Sequence, residues 1–360
     1  MPKVLYLLGR FPAWSETFIA REMRLLNKAE FPFLPVALKS GTGSLPEDLP
    51  SVHILKPATA ADSGEKEIKG SMTGSFRRRA SLLKHANLKH GLIRYAREHA
   101  VTHLHSTFAD LPGLLISAAA RKLHLPYSIS LHARDALCPK YDEDFLFRQA
   151  SFLTVCNQRV HDVLTRRNPE LASRLHFIPH GIPLDRWPFS TTVWQPSQPV
   201  LKLLFVGRLV AKKAPAMAMQ IADALSNQGI SCQLTVIGDG PLKSTLTSPT
   251  LQLKGIVRPD EIRHAMQTHD CLLVSSQEMP DGDMEGLPNV VLEAMATGLP
   301  VVAFPSGSML EVVNKETAFM PQRYTVDSYC ETICTMLRQP EAIEPKRHAA
   351  RTRIEHAYCA

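Results

Sequence analysis

The chain has 360 residues, enough for two domains with separate cores, and its 44% hydrophobic and 21% charged content is that of a soluble globular protein. No apolar run approaches the ~20 residues that span a bilayer, and seven scattered cysteines without zinc-like pairs exclude a disulfide framework and point to a reducing compartment. A net charge of +7 favours an anionic partner without choosing among nucleotide, membrane surface and nucleic acid.

Strand-like and helical runs alternate along the whole chain, the mark of α/β architecture with parallel sheets. The N-terminal run Val4–Leu8 is too short for a signal-peptide core and reads as a first strand. Further strands are expected at Phe33–Leu38, His103–Ser106, Tyr127–His132, Phe152–Cys156 and His176–Pro179, with amphipathic segments at Thr17–Asn27, Leu111–Leu123 and Asn157–Arg167. Thr59–Ser75 has no period and reads as a loop. Phe76–Glu98 carries seven Arg or Lys against one acidic residue, with Leu82, Leu83, Ala86, Ile93 and Ala96 spaced as an apolar stripe. A solvated helix face, an anionic membrane surface and nucleic acid all fit that charge; no nucleic-acid-binding signature supports the last. His103 and His105 face one side of their strand and read as structural or cleft-lining, and His132 at the end of its strand reads as a cap, a core residue or a substrate contact.

The first domain is expected over residues 1–183. Residues 184–199, with prolines, two tryptophans and no period, read as a linker. A second alternation then runs through Leu201–Gly207, Gln233–Gly238, Leu251–Gly255, Cys271–Ser276 and Pro300–Phe304, giving a second domain over 200–345. Gly207-Arg208-Leu209-Val210-Ala211-Lys212-Lys213 places cations directly after a strand, where they can neutralise a diphosphate or sit in a solvated loop. Gly238-Asp239-Gly240 lacks the third glycine of a dinucleotide fingerprint and reads as a tight turn, which counts against a hydride-transferring dehydrogenase. In Asp281–Pro305, Pro288 and Asn289 open a short helix and Gly298 closes it. Glu285 precedes that helix and Glu293 lies inside it. Spacing alone favours a loop charge and a solvated helix residue; a ligand held at the helix tip is the alternative.

Taken together, these motifs resemble the retaining glycosyltransferases of family 4, whose fold is GT-B. Glu285-Gly-Leu-Pro-Asn-Val-Val-Leu-Glu293 is similar to the family's paired-glutamate motif, and Phe205-Val-Gly-Arg-Leu209 with Lys213 to its diphosphate segment. His105-Ser-Thr-Phe-Ala109, His132-Ala-Arg-Asp135 and Pro179-His-Gly-Ile182 resemble three further landmarks. Phe11-Pro-Ala-Trp-Ser-Glu-Thr-Phe18 and Asp281-Gly-Asp283 look like the branch that builds exopolysaccharide, colanic acid or lipopolysaccharide.

The resemblance implies two Rossmann-like doubly wound domains facing a central cleft. It also implies retaining transfer from a nucleotide-diphosphate sugar to a lipid-linked or oligosaccharide acceptor, without a metal or other cofactor. Arg208 and Lys213 would hold the diphosphate, Glu293 the ribose, the backbone near Val257 the base, and Glu285 and His132 the transferred sugar. Leu287, Pro288 and Asn289 would line the donor site, while Ser15, Glu16 and Asp135 would lie on the acceptor side. The protein would be cytoplasmic, peripheral at the membrane through the Arg77–Arg97 segment, with no nucleic-acid partner. Residues 346–360 would begin a C-terminal helix returning to the first domain. Ala214, Gly307-Ser-Met-Leu-Glu311 and Ala318 depart from the family pattern, which keeps a non-catalytic nucleotide-sugar binder open, and a sugar-nucleotide epimerase remains a further alternative.

Overall fold

A computed structural model describes residues 3–14, 16–42, 48–58 and 76–360. The loop expected over Thr59–Ser75, and Ser15, lie outside the described residues. The chain divides after Ile178 into two compact units.

In the first unit the strands are β1 (Val4–Phe11), β2 (Phe33–Ser40), β3 (His53–Ile54), β4 (His103–Ser106), β5 (Tyr127–Leu131), β6 (Phe152–Val155) and β7 (Leu175–Phe177). They form one sheet in the order β3-β2-β1-β4-β5-β6-β7, with every pair parallel. The helices are α1 (Thr17–Lys28), α2 (Phe76–Lys84), α3 (Ala86–Glu98), α4 (Leu111–Leu123), α5 (Ala133–Leu137), α6 (Glu143–Phe147) and α7 (Gln158–Arg167). Alternation along β1 sends Leu5 and Leu7 into the main core and Tyr6 and Leu8 into a smaller cluster under α1. Sequence periodicity misses β3 because its two residues are both exposed.

The second unit repeats the plan with β8 (Leu201–Val206), β9 (Cys232–Ile237), β10 (Leu251–Gly255), β11 (Cys271–Val274) and β12 (Val301–Ala303), ordered β10-β9-β8-β11-β12 and parallel throughout. Its helices are α8 (Pro215–Asn227), α9 (Pro259–Thr268), α10 (Asn289–Thr297), α11 (Val326–Arg338) and α12 (Ile343–Ala357). Leu203 and Phe205 face one core and Leu204 the other, so both sheet faces are covered.

Residues 184–199 are not a free linker. Trp187 is buried in the second unit's core, the Trp194 indole N–H donates to the Asp270 carbonyl at 2.9 Å, and the Asp270 carboxylate accepts from the Ser197 and Lys202 N–H groups. Two large aromatics bury more surface on a core than an open connection exposes, so the segment straps the unit that follows it. The last helix packs on α10 in the same unit, with Arg347 and Arg351 donating to strap carbonyls at Ser190, Thr192 and Trp187.

The basic stretch Phe76–Glu98 is two helices that meet at His85. Leu82, Ile93 and Ala96 are buried as expected, whereas Leu83 is 67% exposed. Arg78 is buried, paired with Asp142 at 2.9 Å and stacked over the Phe145 ring, which withdraws it from the exposed charge.

Candidate functional site

In a doubly wound sheet ligands gather beyond the carboxyl ends of the strands, where the strand order reverses direction. In the second unit that reversal lies between β8 and β11. The two loops that leave these strands carry Arg208 to Lys213 on one side and Glu285 on the other.

The first loop is built on a glycine contact. Gly238 follows β9 with φ +144, and a Cβ there would sit 1.9 Å from the Gly207 carbonyl oxygen. The Leu209 N–H donates to the Asp239 carbonyl at 2.9 Å, and the Asp239 carboxylate accepts from its neighbour's N–H at Gly240 at 2.7 Å. Gly238-Asp-Gly is therefore the tight turn its sequence suggests, and it supports the loop after β8. The Ser275 hydroxyl donates to the carbonyls of Lys213 and Ala214 at 3.1 and 2.9 Å, tying the loop to the end of β11. Ala214 adopts φ +45, a left-handed conformation that glycine takes without strain.

Two parallel ion pairs join the loops. Lys213 Nζ lies 2.6 Å from Glu285 Oε2, and Lys212 Nζ lies 3.0 Å from Asp283 Oδ1. All four side chains are mostly buried, between 12% and 14% exposed. Burial pushes the Glu285 carboxyl up, but the Lys213 ammonium, aided by Lys212 and Arg208, outweighs it and holds the group below its ordinary value. Glu285 is thus an anion in a nearly dry site, with its neutralising cation supplied by the other loop. Arg208 is exposed at the mouth of the same loop.

Beyond Glu285, Leu287 and Pro288 are buried and α10 opens at Asn289, whose side-chain oxygen is buried with no hydrogen-bond partner among the described residues. Glu293 is 7% exposed, so it is not the solvated helix residue that spacing favours. Val257 packs partly buried against the core after β10. The structure thereby collects Arg208, Lys213, Val257, Glu285, Leu287, Pro288, Asn289 and Glu293 in one unit, with a direct ion pair between Lys213 and Glu285.

The remaining expected residues belong to the first unit, where the strand order reverses between β1 and β4. His132 is not part of β5; it is the residue that opens α5, and its N–H donates to the Asp135 carboxylate at 3.0 Å. The imidazole packs against the rings of Phe18 and Phe108, with centroids 4.9 and 4.7 Å away, and those two rings meet edge to face. Glu16 directly precedes α1. Glu22, one turn after Phe18 on α1, was missed by motif reasoning. Burial raises its carboxyl, against the lowering effect of the Tyr6 hydroxyl and His132. Its signal is the four-residue spacing from Phe18, which puts both on one helix face. Asp110 is raised to about 6 by burial and by Asp135. His103 Nε2 and His105 Nδ1 both bond to the Ser128 hydroxyl at 2.8 Å, a structural network as the alternation suggests.

Comparison with known proteins places this geometry. Residues 201–339 match the family described as Glycosyl transferases group 1. That stretch is a glycosyl transferases group 1 domain. The chain is 31% identical over 164 residues to the amylovoran biosynthesis glycosyltransferase AmsK of Erwinia amylovora, covering 43% of this chain and 40% of that protein. It is 24% identical over 257 residues to the putative colanic acid biosynthesis glycosyltransferase WcaL of Escherichia coli, covering 64% of this chain and 59% of WcaL. The matches thus span about half the length of these relatives. The crystal structure of Anabaena HepE in complex with UDP-glucose superposes with a TM-score of 0.76 at 15% identity, covering 100% of this chain and 96% of HepE. The two α/β units have the GT-B fold.

Proposed function

We propose that this chain, whose residues 201–339 match the Glycosyl transferases group 1 family, is a retaining, metal-independent glycosyltransferase. It moves a sugar from a nucleoside-diphosphate sugar to a lipid-linked or oligosaccharide acceptor in cell-surface polysaccharide synthesis. The observation that carries this is the Lys213–Glu285 pair at the second unit's switch point. AmsK and WcaL, as named, act in polysaccharide synthesis, and HepE, as named, binds UDP-glucose, which supports the substrate class.

The pair suits an exchange. In the structure the Lys213 ammonium and the Glu285 carboxylate neutralise each other. A diphosphate takes Lys213 and Arg208, and Glu285 is left to accept hydrogen bonds from sugar hydroxyls, so neither buried charge is stranded. Glu293 takes the ribose, the backbone at Val257 the base, and the α10 tip at Leu287, Pro288 and Asn289 lies beside the phosphates. In transfer the bond from the anomeric carbon to the diphosphate oxygen breaks. The acceptor oxygen bonds the same carbon on the same face, and its proton leaves with the diphosphate. Fixed cations at the departing phosphate stabilise the charge that develops there. His132, with Asp135, Glu16 and Ser15, is assigned to the sugar hydroxyls and the acceptor.

Exposed Arg77, Arg79, Leu83 and Lys84 on α2 suit an anionic membrane surface, where a lipid-linked acceptor would be met. Among the described residues no helix is long and apolar enough to cross a membrane.

The test is product analysis with UDP- and GDP-sugars and a lipid extract, in the presence of EDTA. The reading expects an extended acceptor with retained anomeric configuration and free nucleoside diphosphate. A changed donor without extension would assign an epimerase; donor binding without any product would assign a binding protein.

A further inference from the structure

We infer that Arg353 and Tyr358, on and just after the last helix, are positioning residues for Glu285, and thereby set how well the second unit distinguishes a nucleotide sugar from the bare nucleoside diphosphate. The inference rests on the donor reading above and adds residues outside its motifs.

The turn Gly307–Glu311 is a single stretch of 3-10 helix following β12. Its first end touches Glu285 directly. The Ser308 N–H donates to the Glu285 carbonyl at 3.3 Å, and Gly307 has φ +59 with no space for a side chain: a Cβ would lie 2.6 Å from that same carbonyl oxygen. The Glu285 backbone is therefore backed by this turn on one side while its carboxylate is held by Lys213 on the other. A displaced turn moves the carboxylate.

The far end of the turn is held by the C-terminal segment. The Arg353 guanidinium donates to the Glu311 carbonyl at 2.6 Å and the Tyr358 hydroxyl donates to the same oxygen at 3.1 Å. Two donors on one carbonyl fill both lone pairs, one of them charge-assisted. Their base is itself fixed, because the Tyr358 carbonyl accepts from the Ile182 N–H at 2.6 Å and the Ile182 carbonyl accepts from the Ala360 N–H at 3.1 Å. Between the two ends Met309 is fully buried, so the turn moves as one plate rather than flexing in the middle. The mechanical path runs from Arg353 and Tyr358 through the Glu311 carbonyl and the plate to the Glu285 backbone.

Glu285 is assigned to the sugar and Lys213 to the phosphates, so loosening this path has a signature that general destabilisation lacks. Affinity for the nucleotide sugar falls while affinity for the nucleoside diphosphate holds. The experiment measures calorimetric affinities of the full chain for UDP-glucose and UDP, and for GDP-mannose and GDP, using whichever pair the native protein binds. The variants are Tyr358→Phe, Arg353→Gln, Arg353→Lys and Glu285→Gln, each with its Tm. The ratio of sugar-nucleotide to diphosphate affinity should drop about tenfold in the Tyr358→Phe/Arg353→Gln double variant. Arg353→Lys should recover part of it, and neither change should lower the ratio further on a Glu285→Gln background. An unchanged ratio with a lower Tm in the double variant, while Glu285→Gln still reduces the ratio, would overturn the inference and leave the donor reading standing. If Glu285→Gln leaves the ratio intact, or the native protein binds neither pair, the donor reading falls and this inference with it.

Discussion

Each unit buries a titratable group near its switch point, and the two handle it in opposite ways. In the first unit His105 is 8% exposed, stacked on Tyr6, with its ring nitrogens on the hydroxyls of Ser128 and Ser130; burial, helped by His103, lowers its pKa to about 3. In the second unit Glu285 keeps its charge because a lysine from the adjoining loop lies 2.6 Å away. A neutral group satisfied by hydroxyls asks nothing of a ligand. A buried anion held by a single ammonium is a site where an incoming phosphate competes for the cation. On the proposed reading the difference separates a structural polar network from a binding site, although both consist of buried polar residues on strands or the loops that follow them.

The largest effect expected from breaking this contrast is on activity. Glu285→Ala or Lys213→Met should lower transfer by a factor on the order of 10² to 10³, measured as initial rates at saturating acceptor. His105→Gln, which keeps hydrogen-bonding capacity, should leave the rate within a few-fold.

The pH dependence sharpens the same contrast. Below 6.5 the unfolded chain protonates His105 while the folded chain does not until about pH 3. The His105 contribution to stability should therefore fall with falling pH, by up to about 1.4 kcal/mol per pH unit. Glu285 is held below the ordinary carboxylate value by the lysine beside it, so its contribution is fully present above that ordinary value and is lost only as pH drops through the lowered one. Asp110, raised to about 6, and Glu22, also raised, contribute with the opposite sign in the first unit, so the His105 contribution is read as the difference between native protein and His105→Gln in hydrogen exchange between pH 6.5 and 5.

Vesicle binding extends the comparison to charges that are free and charges that are used. Replacing Arg77 and Arg79 by Gln should weaken sedimentation with anionic vesicles about 30-fold, at about 1 kcal/mol per basic residue. Arg78→Gln should instead cost stability, since Arg78 is spent on Asp142 and Phe145. The smallest expected change is at the loop that presents Lys213. Ala214→Gly relieves a φ of +45 and should raise stability by about 1 kcal/mol or less, because glycine's unfolded-state entropy offsets the strain, read from urea midpoints.

Much of this architecture is legible in the residues. Parallel α/β alternation and the switch-point loops follow from hydrophobic period and from which residues come after which strand, whereas the direct Lys213–Glu285 pair does not, since spacing favours a plain loop charge at Glu285. What was not legible depends on tertiary neighbours. The two tryptophans at 187 and 194 look like an irregular connection until the surface they cover is known. Arg78 counts toward a basic stripe until Asp142, 64 residues away, claims it. Glu22 carries no motif, and its environment is made by Tyr6 on β1 and by His132 at the start of α5. Burial of Glu293 is equally invisible in a nine-residue helix whose period is obscured by being buried on nearly every side.

The most direct test of the central claim is calorimetric titration of native protein, Lys213→Met and Glu285→Gln with a nucleotide sugar and with its nucleoside diphosphate. The account predicts that Lys213→Met weakens both ligands, whereas Glu285→Gln weakens the nucleotide sugar and spares the diphosphate. Equal losses for both ligands in both variants, or no loss in either, would contradict a site in which these two side chains divide one donor between them.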